Sequence, residues 1–208
     1  MTAIAMLAGC SGAQPMIASK ATTASTSHAR TTSTSYGNCP AVQGGTGILP
    51  DGDFSEAMNP GDHNITPNKG TVFAPDWEVS KGNVDFNGTT YWDMDGLCSV
   101  DLDGDLTVGG IKSSAFRTKK VGTYKLSFVM SGNGHCSPTI KTMKISVDHQ
   151  FATFTWDTAS GYDVQNGDYA TEAWQFYGRP LSTLHFVSQD PPGSGCGIVI
   201  AGMAVTQK

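Results

Sequence analysis

The segment Thr123-Tyr-Lys-Leu-Ser-Phe-Val129 alternates apolar and polar side chains. Tyr124, Leu126 and Phe128 therefore fall on one face of an extended chain, and the residues between them fall on the other. This pattern is typical of an antiparallel strand with one face buried and the other in water. The segment 140–147 repeats the pattern, and no part of the chain carries the apolar stripe of a surface helix.

Further short segments of strand-like composition are separated by clusters of Gly, Asn, Asp and Pro, which favour turns. These segments are 77–79, 84–86, 99–102, 110–116, 151–156, 173–177, 184–187 and 198–205. A succession of short strands divided by turns predicts an all-β sandwich.

The composition excludes several classes of protein. Charged residues make up 15% of the 208 residues, the formal net charge is -5, and Gly occurs 25 times. Globular domains average roughly 25% charged residues. An acidic chain without a basic patch is not expected to bind nucleic acid. The sequence also lacks the run of about 18 apolar residues that a membrane-spanning helix requires.

The first part of the chain differs from the rest. Between Ser19 and Ser35, 11 of 17 residues are Ser or Thr, so this stretch cannot bury enough surface to fold. Before it, Leu7-Ala-Gly-Cys10 resembles the lipobox of bacterial lipoproteins, in which the Cys is lipidated, although no Lys or Arg precedes it. We expect a signal-peptide remnant over residues 1–9, a disordered tether over 10–36 and the sandwich over 37–208. The alternative is a chance match in an Ala- and Gly-rich terminus.

The cysteine count is consistent with export. If Cys10 carries lipid, the four remaining cysteines, Cys39, Cys98, Cys136 and Cys196, can form two disulfides in any of three pairings. None has the CxxC spacing of a zinc site or redox pair. We expect a protein of the cell envelope or outer surface, or a secreted one, whose only contact with the membrane is the lipid anchor. Free thiols in a cytosolic protein are the alternative.

Several motifs occur in the order found in one family. They include Ile48-Leu-Pro-Asp-Gly-Asp-Phe54, Trp77 with Gly82-Asn-Val-Asp85, Tyr91-Trp92, Ser99-Val-Asp-Leu-Asp-Gly104 and Gly122-Thr-Tyr-Lys-Leu-Ser-Phe128. This order resembles the DUF642 and choice-of-anchor C domains from about residue 48 to residue 206. The resemblance implies a jelly-roll sandwich of the galactose-binding-domain type, with residues 48–54 as its opening strand. Plant members of the family are cell-wall proteins linked to polysaccharide binding.

The resemblance also implies particular residue roles. A family cysteine follows the strand equivalent to 122–130, and another precedes the last strand, which implies a Cys136–Cys196 bridge and leaves Cys39 with Cys98. Galactose-binding-like folds often hold a structural calcium ion between the first and last strands. Asp51, Asp53 and Glu56 are the candidate ligands here, although the acidic pair of the plant domains is missing before Met203.

Two polar loops provide the candidate ligand site. Tyr91, Trp92 and Asp93 stand in one loop, and Asn133 and His135 stand in another. Sugars offer apolar C–H faces and hydroxyl groups, so an aromatic ring beside Asp, Asn or His suits them. The alternative interpretation makes Trp92 a packing residue and His135 a solvated loop residue.

The motifs of known catalytic sites are missing from the sequence. It contains no HExxH pair, no GxSxG elbow and no phosphate-binding loop. We therefore expect a protein that binds carbohydrate without catalysis. The first alternative is a structural or adhesion domain that contacts protein partners. The second is a glycoside hydrolase that uses a pair of carboxylates such as Asp93 and Asp95.

Overall fold

The computed structural model describes residues 39–105, 107–118 and 122–208. Within these ranges the chain forms fourteen strands and one turn of 3-10 helix, Val164–Asn166. The strands are β1 (Asn64–Ile65), β2 (Val72–Ala74), β3 (Trp77–Lys81), β4 (Asp85–Asn87), β5 (Ser99–Asp101), β6 (Gly110–Ser113), β7 (Phe116–Arg117), β8 (Thr123–Gly132), β9 (Ile140–Val147), β10 (Gln150–Asp157), β11 (Ala170–Tyr177), β12 (Leu181–Ser182), β13 (Leu184–Ser188) and β14 (Ile198–Gln207). Over the same ranges, no helix reaches the length and apolarity that a membrane crossing demands.

Two six-stranded sheets make the sandwich. The first has the order β1-β4-β5-β14-β8-β11, and the second has the order β10-β9-β13-β6-β3-β2. Neighbouring strands within both sheets are antiparallel, and β7 and β12 form a separate two-stranded ribbon. The predicted all-β, jelly-roll sandwich is thus confirmed. The predicted signal-peptide remnant, the tether over 10–36 and Cys10 lie outside the described residues.

The core lies between the two sheets, where the alternating residues meet. Tyr124, Leu126 and Phe128 of β8 are buried, as the sequence pattern predicts. On β9, Met143, Ile145 and Val147 are buried in the same way. Lys141 occupies the same face of β9 and is fully buried, so this strand carries one charged residue into the interior.

The opening segment 48–54 is not a strand, which corrects the expectation drawn from the family resemblance. It consists of turns that run beside β14, with the Ile48 N–H donating to the Val205 carbonyl (2.9 Å) and the Met203 N–H donating to the Gly52 carbonyl (2.8 Å). The turns bring Phe54 into the core, where its ring lies 5.5 Å from the Trp77 ring. This segment is therefore anchored by side-chain packing and scattered backbone bonds rather than by a ladder.

Three short strands, β1, β2 and β12, were not predicted, because two or three residues give too little alternation to recognise. The predicted strand 110–116 is divided into β6 and β7. The break occurs at Ser114, whose N–H donates to the Asp76 carbonyl (2.6 Å) instead of continuing the ladder. Trp77 is a core residue, whereas Trp156 and Trp174 are only partly buried against the core.

The outer faces of the two sheets differ. Trp92, Met94 and Leu97 from one loop and Val164 from the 3-10 turn pack against Val129, Val199 and Ala201, which point outward from β8 and β14. This second apolar cluster covers the outer face of the first sheet over β8 and β14. The outer face of the second sheet carries partly exposed residues such as Lys144, Ser146 and His185 and is open to solvent.

On one side of the sandwich, both sheets end in an eight-residue edge strand, β10 and β11. The Gln150 side chain connects these edges. Its Nε2 donates to the Tyr177 carbonyl (2.8 Å), and its Oε1 accepts from the Tyr177 N–H (2.8 Å). Gln150 thus fills the hydrogen-bonding position of a neighbouring strand at the end of β11.

Two disulfides close the structure, Cys39–Cys98 and Cys136–Cys196. This is the pairing implied by the family resemblance. The first bridge attaches the start of the described chain to the loop before β5. The second joins the loop after β8 to the segment that leads into β14.

Candidate functional site

The predicted aromatic loop is largely a packing element. Trp92 is only 6% exposed and belongs to the apolar cluster on the first sheet, which agrees with the alternative interpretation given above. Tyr91 is 40% exposed, and its ring centroid lies 5.0 Å from that of Trp92. Asp93 is exposed and accepts a hydrogen bond from the Gly96 N–H (2.8 Å), so it also stabilises its own turn.

The second predicted loop separates its two candidates. His135 is exposed, whereas Asn133 is buried and holds the loop in place. The Asn133 Nδ2 donates to Asp101 Oδ2 (2.8 Å), and its Oδ1 accepts from the His135 N–H (3.1 Å). Of the five residues predicted to bind ligand, the exposed ones are Tyr91, Asp93 and His135.

The predicted calcium ligands do not fit a metal ion. Asp51 Oδ1 accepts from the Glu56 N–H (3.0 Å), while Asp53 accepts from the Val42 N–H (2.8 Å) and the Ser55 N–H (3.2 Å). These bonds use the carboxylates to hold turns. Across the ranges that the structure describes, no three His, Cys, Asp or Glu side chains are grouped so that they could hold a metal ion.

A buried polar cluster surrounds Lys141, which the sequence analysis did not single out. The Lys141 Nζ donates to the carbonyl oxygens of Cys136 (2.7 Å) and Cys196 (2.8 Å). Asp101 lies nearby and accepts from Asn133, Asp103 and Gly197. The cluster is closed to solvent and ties both ends of one disulfide to the core.

Burial dominates the electrostatics of this cluster. It raises the pKa of Asp101 to about 8, although the three N–H donors favour the ionised form. Burial likewise raises the pKa of Asp190 to about 6, against the Thr142 N–H that donates to its Oδ1 (2.7 Å). The pKa of Lys141 is lowered by burial and held up by the neighbouring acids. These groups are buried and stabilise a loop, so we assign them a structural role.

A groove of about 490 Å³ lies on the outer face of the second sheet. Its polar lining residues are Lys144, Ser146, Asp148, Thr183, His185 and Gln189. Ala115, Leu181 and Val187 add apolar surface. Strands β9 and β13 form the floor, and the β12 segment forms one wall.

The strand register arranges the floor in rows that cross the sheet. One row runs Phe151–Ser146–His185–Lys112–Glu78, each residue directly opposite the next on β10, β9, β13, β6 and β3. Directly opposed residues point to the same face and lie about 5 Å apart. Four such spacings give a row roughly 19 Å long, which is enough for a chain of sugar rings rather than a single ring.

An exposed aromatic side chain stands at one end of this row. Phe151 is 60% exposed, and the Lys144 Nζ lies 4.5 Å from the centre of its ring. At the other end Lys112 pairs with Glu78 (3.0 Å). Between them, burial and the Lys112 charge lower the pKa of His185, so its imidazole is mainly neutral at pH 7 and can both donate and accept.

The comparisons with known proteins concern the family and the fold. No curated protein matches the chain. A CBM4 structure is 13% identical, covering 77% of this chain and 99% of its own, with a TM-score of 0.43. A CBM35 structure from Paenibacillus barcinonensis is 16% identical, covering 69% and 99% of the two chains, with a TM-score of 0.41.

A further similar structure is a carbohydrate-binding module from Cellvibrio mixtus lichenase 5A in complex with cellotriose. It is 11% identical, covering 63% of this chain and 90% of its own, with a TM-score of 0.41. The family model described as a protein of unknown function, DUF642, matches residues 47–206. Since that match extends over most of the sequence, the chain belongs to the DUF642 family.

Proposed function

We propose that this domain binds carbohydrate without catalysis and that the sugar chain lies in the groove of the second sheet. The observation that carries the proposal is the row from Phe151 through Ser146 and His185 to Lys112. It combines an exposed aromatic ring with side chains that donate and accept hydrogen bonds. Sugars require both, because their C–H faces stack on rings and their hydroxyl groups need polar partners.

The lining of the groove favours a sugar over a protein partner. Six of its nine lining residues carry a polar side chain. A stable protein interface usually buries about 800 Å² on each partner and has a more apolar centre. The row is also long enough for an extended chain. The structural or adhesion role considered above therefore has less support than carbohydrate binding.

The groove also favours binding over hydrolysis. Glycoside hydrolases of the common mechanism use two carboxyl groups that flank the scissile bond. Asp148 is the one acid among the groove's lining residues, and its Oδ2 lies 3.6 Å from Arg179 Nε. Asp93 and Asp95, the pair considered from sequence, stand in an exposed loop where Asp95 accepts from the Tyr169 hydroxyl (3.1 Å).

We further propose that the protein is exported and acts at the cell envelope or is secreted. Two disulfides in one domain are typical of oxidising compartments. Lipidation at Cys10 remains a prediction from the sequence. Metabolic labelling with a palmitate analogue, compared between the natural protein and a Cys10→Ser variant, tests it directly.

The binding proposal is tested with the full chain against a panel of soluble and insoluble polysaccharides. Retention in affinity electrophoresis and pull-down assays measures binding. For a glycan that binds, Phe151→Ala should weaken affinity at least about tenfold, or about 1.4 kcal/mol. Tyr91→Ala is the matched control, since Tyr91 is an exposed aromatic residue outside the groove. Loss of binding in Tyr91→Ala alone would move the site to the loops, and no binding to any glycan would refute the proposal.

A further inference from the structure

We infer that the groove selects an anionic glycan, one that carries carboxylate or sulfate groups. This inference rests on the proposed function and names the chemical class of its ligand. The charges around the groove differ from those of the chain as a whole. The chain has a formal net charge of -5, and we would expect an average surface on it to repel an anionic polymer.

The groove lining itself carries one lysine and one acid, Lys144 and Asp148, and basic residues outnumber acidic ones once the residues that pair with the lining are counted. Lys144 lies on its floor, and Lys112 lies directly opposite the lining residue His185. Arg117 lies directly opposite the lining residue Leu181 in the β7–β12 ribbon, and both are exposed on the same face of that ribbon. Arg179 is the fourth basic residue, on the rim beside Asp148. The acidic residues at the same place are Glu78 and Asp148.

Two of these four cations already have acidic partners. Lys112 pairs with Glu78 at 3.0 Å, and Arg179 lies 3.6 Å from Asp148. In the part of the chain that the structure describes, Lys144 and Arg117 form no ion pair. Among the described residues, Lys144 in the groove and Arg117 opposite the lining residue Leu181 are therefore the cations left without an acidic partner.

Lys144 is placed to recognise a charged group on a bound sugar. Its ammonium lies over the Phe151 ring, and a cation–π contact at an exposed site contributes only about 0.5–1 kcal/mol. A carboxylate or sulfate forms a stronger, charge-assisted hydrogen bond with an ammonium group. A sugar ring that packs at Phe151 would bring its acidic substituent within reach of Lys144. Phe151 and Lys144 together would then recognise both the sugar ring and its acidic group.

The neighbouring groups provide hydrogen bonds without opposing the anion. Ser146 and Thr183 carry hydroxyl groups, and Gln189 carries an amide. Asp148 is the lining acid that would repel an anion, and the Arg179 charge partly neutralises it. A neutral glycan would leave Lys144 and Arg117 without anionic partners, so it would use only part of this surface.

The test compares polysaccharides that differ only in charge. Polygalacturonate is titrated against its methyl-esterified form, and a sulfated galactan against its desulfated form, by calorimetry with the full chain at low and high salt. We expect at least tenfold tighter binding of one charged polymer than of its neutral partner, with affinity falling as salt rises. The two pairs distinguish a carboxylate from a sulfate as the group that is recognised.

The residue-level arm uses Lys144→Met, which removes the charge and keeps most of the apolar stem. It should remove most of the preference for the charged polymer. Lys125→Met is the matched control, an exposed lysine of β8 on the first sheet. The inference would be overturned if the natural protein bound the charged and the neutral polymer equally. It would also be overturned if Lys144→Met kept the natural protein's preference for the charged polymer. Binding of poly-glutamate as tight as that of the charged polysaccharide would also overturn the inference, because the groove would then recognise negative charge and not a sugar.

Carbohydrate binding in the groove and the preference for an anionic glycan can be refuted separately. Binding of a neutral glycan that depends on Phe151 but is indifferent to charge would leave the proposed function intact and remove only the anionic preference. Binding that survives Phe151→Ala would refute the proposed groove itself.

Discussion

The Lys141 Nζ donates a 2.8 Å hydrogen bond to the carbonyl oxygen of Cys196 from a core-facing position of β9. A second bond, to the Cys136 carbonyl, measures 2.7 Å. A single buried cation therefore holds the backbone at both ends of the Cys136–Cys196 bridge. This relationship explains why a lysine is found where the strand pattern calls for an apolar residue.

Replacing Lys141 by Met should destabilise the fold, because two carbonyl oxygens lose a charged donor in a site that is closed to bulk solvent. We expect a loss of roughly 2–4 kcal/mol in the free energy of unfolding. Urea denaturation under non-reducing conditions measures it. Lys125→Met, on an exposed position of β8, should change stability by less than about 0.5 kcal/mol. Equal stability of the two variants would contradict the anchoring role of Lys141.

Stability should fall as the pH rises from about 4 to about 8. Burial raises the pKa of Asp51 and Asp190 to about 6 and that of Asp101 to about 8, from an ordinary value of 3.8. In this range the folded state holds protons that the unfolded chain has released, so raising the pH favours unfolding. Urea midpoints at pH 4.5, 6 and 8 should decrease in that order.

The contribution of a single group to that profile can be isolated. Asp190→Asn keeps an oxygen that can accept from the Thr142 N–H and removes the titration. The variant should lose less stability between pH 4.5 and 6 than the natural protein does. If the stability of the natural protein rose with pH, or if the stability of Asp190→Asn changed with pH at the same slope, Asp190 would not titrate as described.

Trp92→Ala should unfold or loosen the loop on the first sheet rather than remove a binding contact. Its side chain is packed with Met94 and Leu97 on outward-facing Val129, and a buried Trp replaced by Ala costs about 3–5 kcal/mol. Tyr91→Ala should cost far less, since Tyr91 is 40% exposed. Thermal unfolding of the two variants compares them directly, and similar melting temperatures would argue against the packing role.

Each disulfide should contribute about 4 kcal/mol on the chain-entropy model, because both close loops of similar length, with sequence separations of 59 and 60 residues. Replacing Cys136 and Cys196 by Ala should nevertheless cost more than replacing Cys39 and Cys98. The reason is that the first change also disturbs the carbonyls that Lys141 holds. Denaturation of the two double variants gives the difference, and equal losses would count against this coupling.

Much of the fold could be predicted from alternation alone, because a half-buried strand repeats every two residues. Tyr124, Leu126 and Phe128 are buried as that period requires. Residues 48–54 could not be placed in this way, since the Phe54 side chain is buried from a turn. Lys141 carried a usable signal, because it shares the parity of Met143 and Ile145.

The candidate site was harder to predict for a physical reason. A loop aromatic such as Trp92 looks the same in sequence whether it packs on a sheet or faces a ligand. The groove depends on register, which brings together residues distant in sequence such as Lys112, Ser146 and His185. Nothing in the local sequence of β6 indicates that β13 will lie beside it.

The Gln150 side chain has a consequence for how the protein behaves at high concentration. An edge strand offers a row of unpaired backbone groups, which is the usual starting point for sheet-to-sheet aggregation between molecules. Gln150 occupies the N–H and carbonyl of Tyr177 at the end of β11. A second molecule cannot extend its pairing past that residue. The amide therefore shortens the stretch of β11 on which another molecule could add a strand, by means of a single side chain of the neighbouring edge.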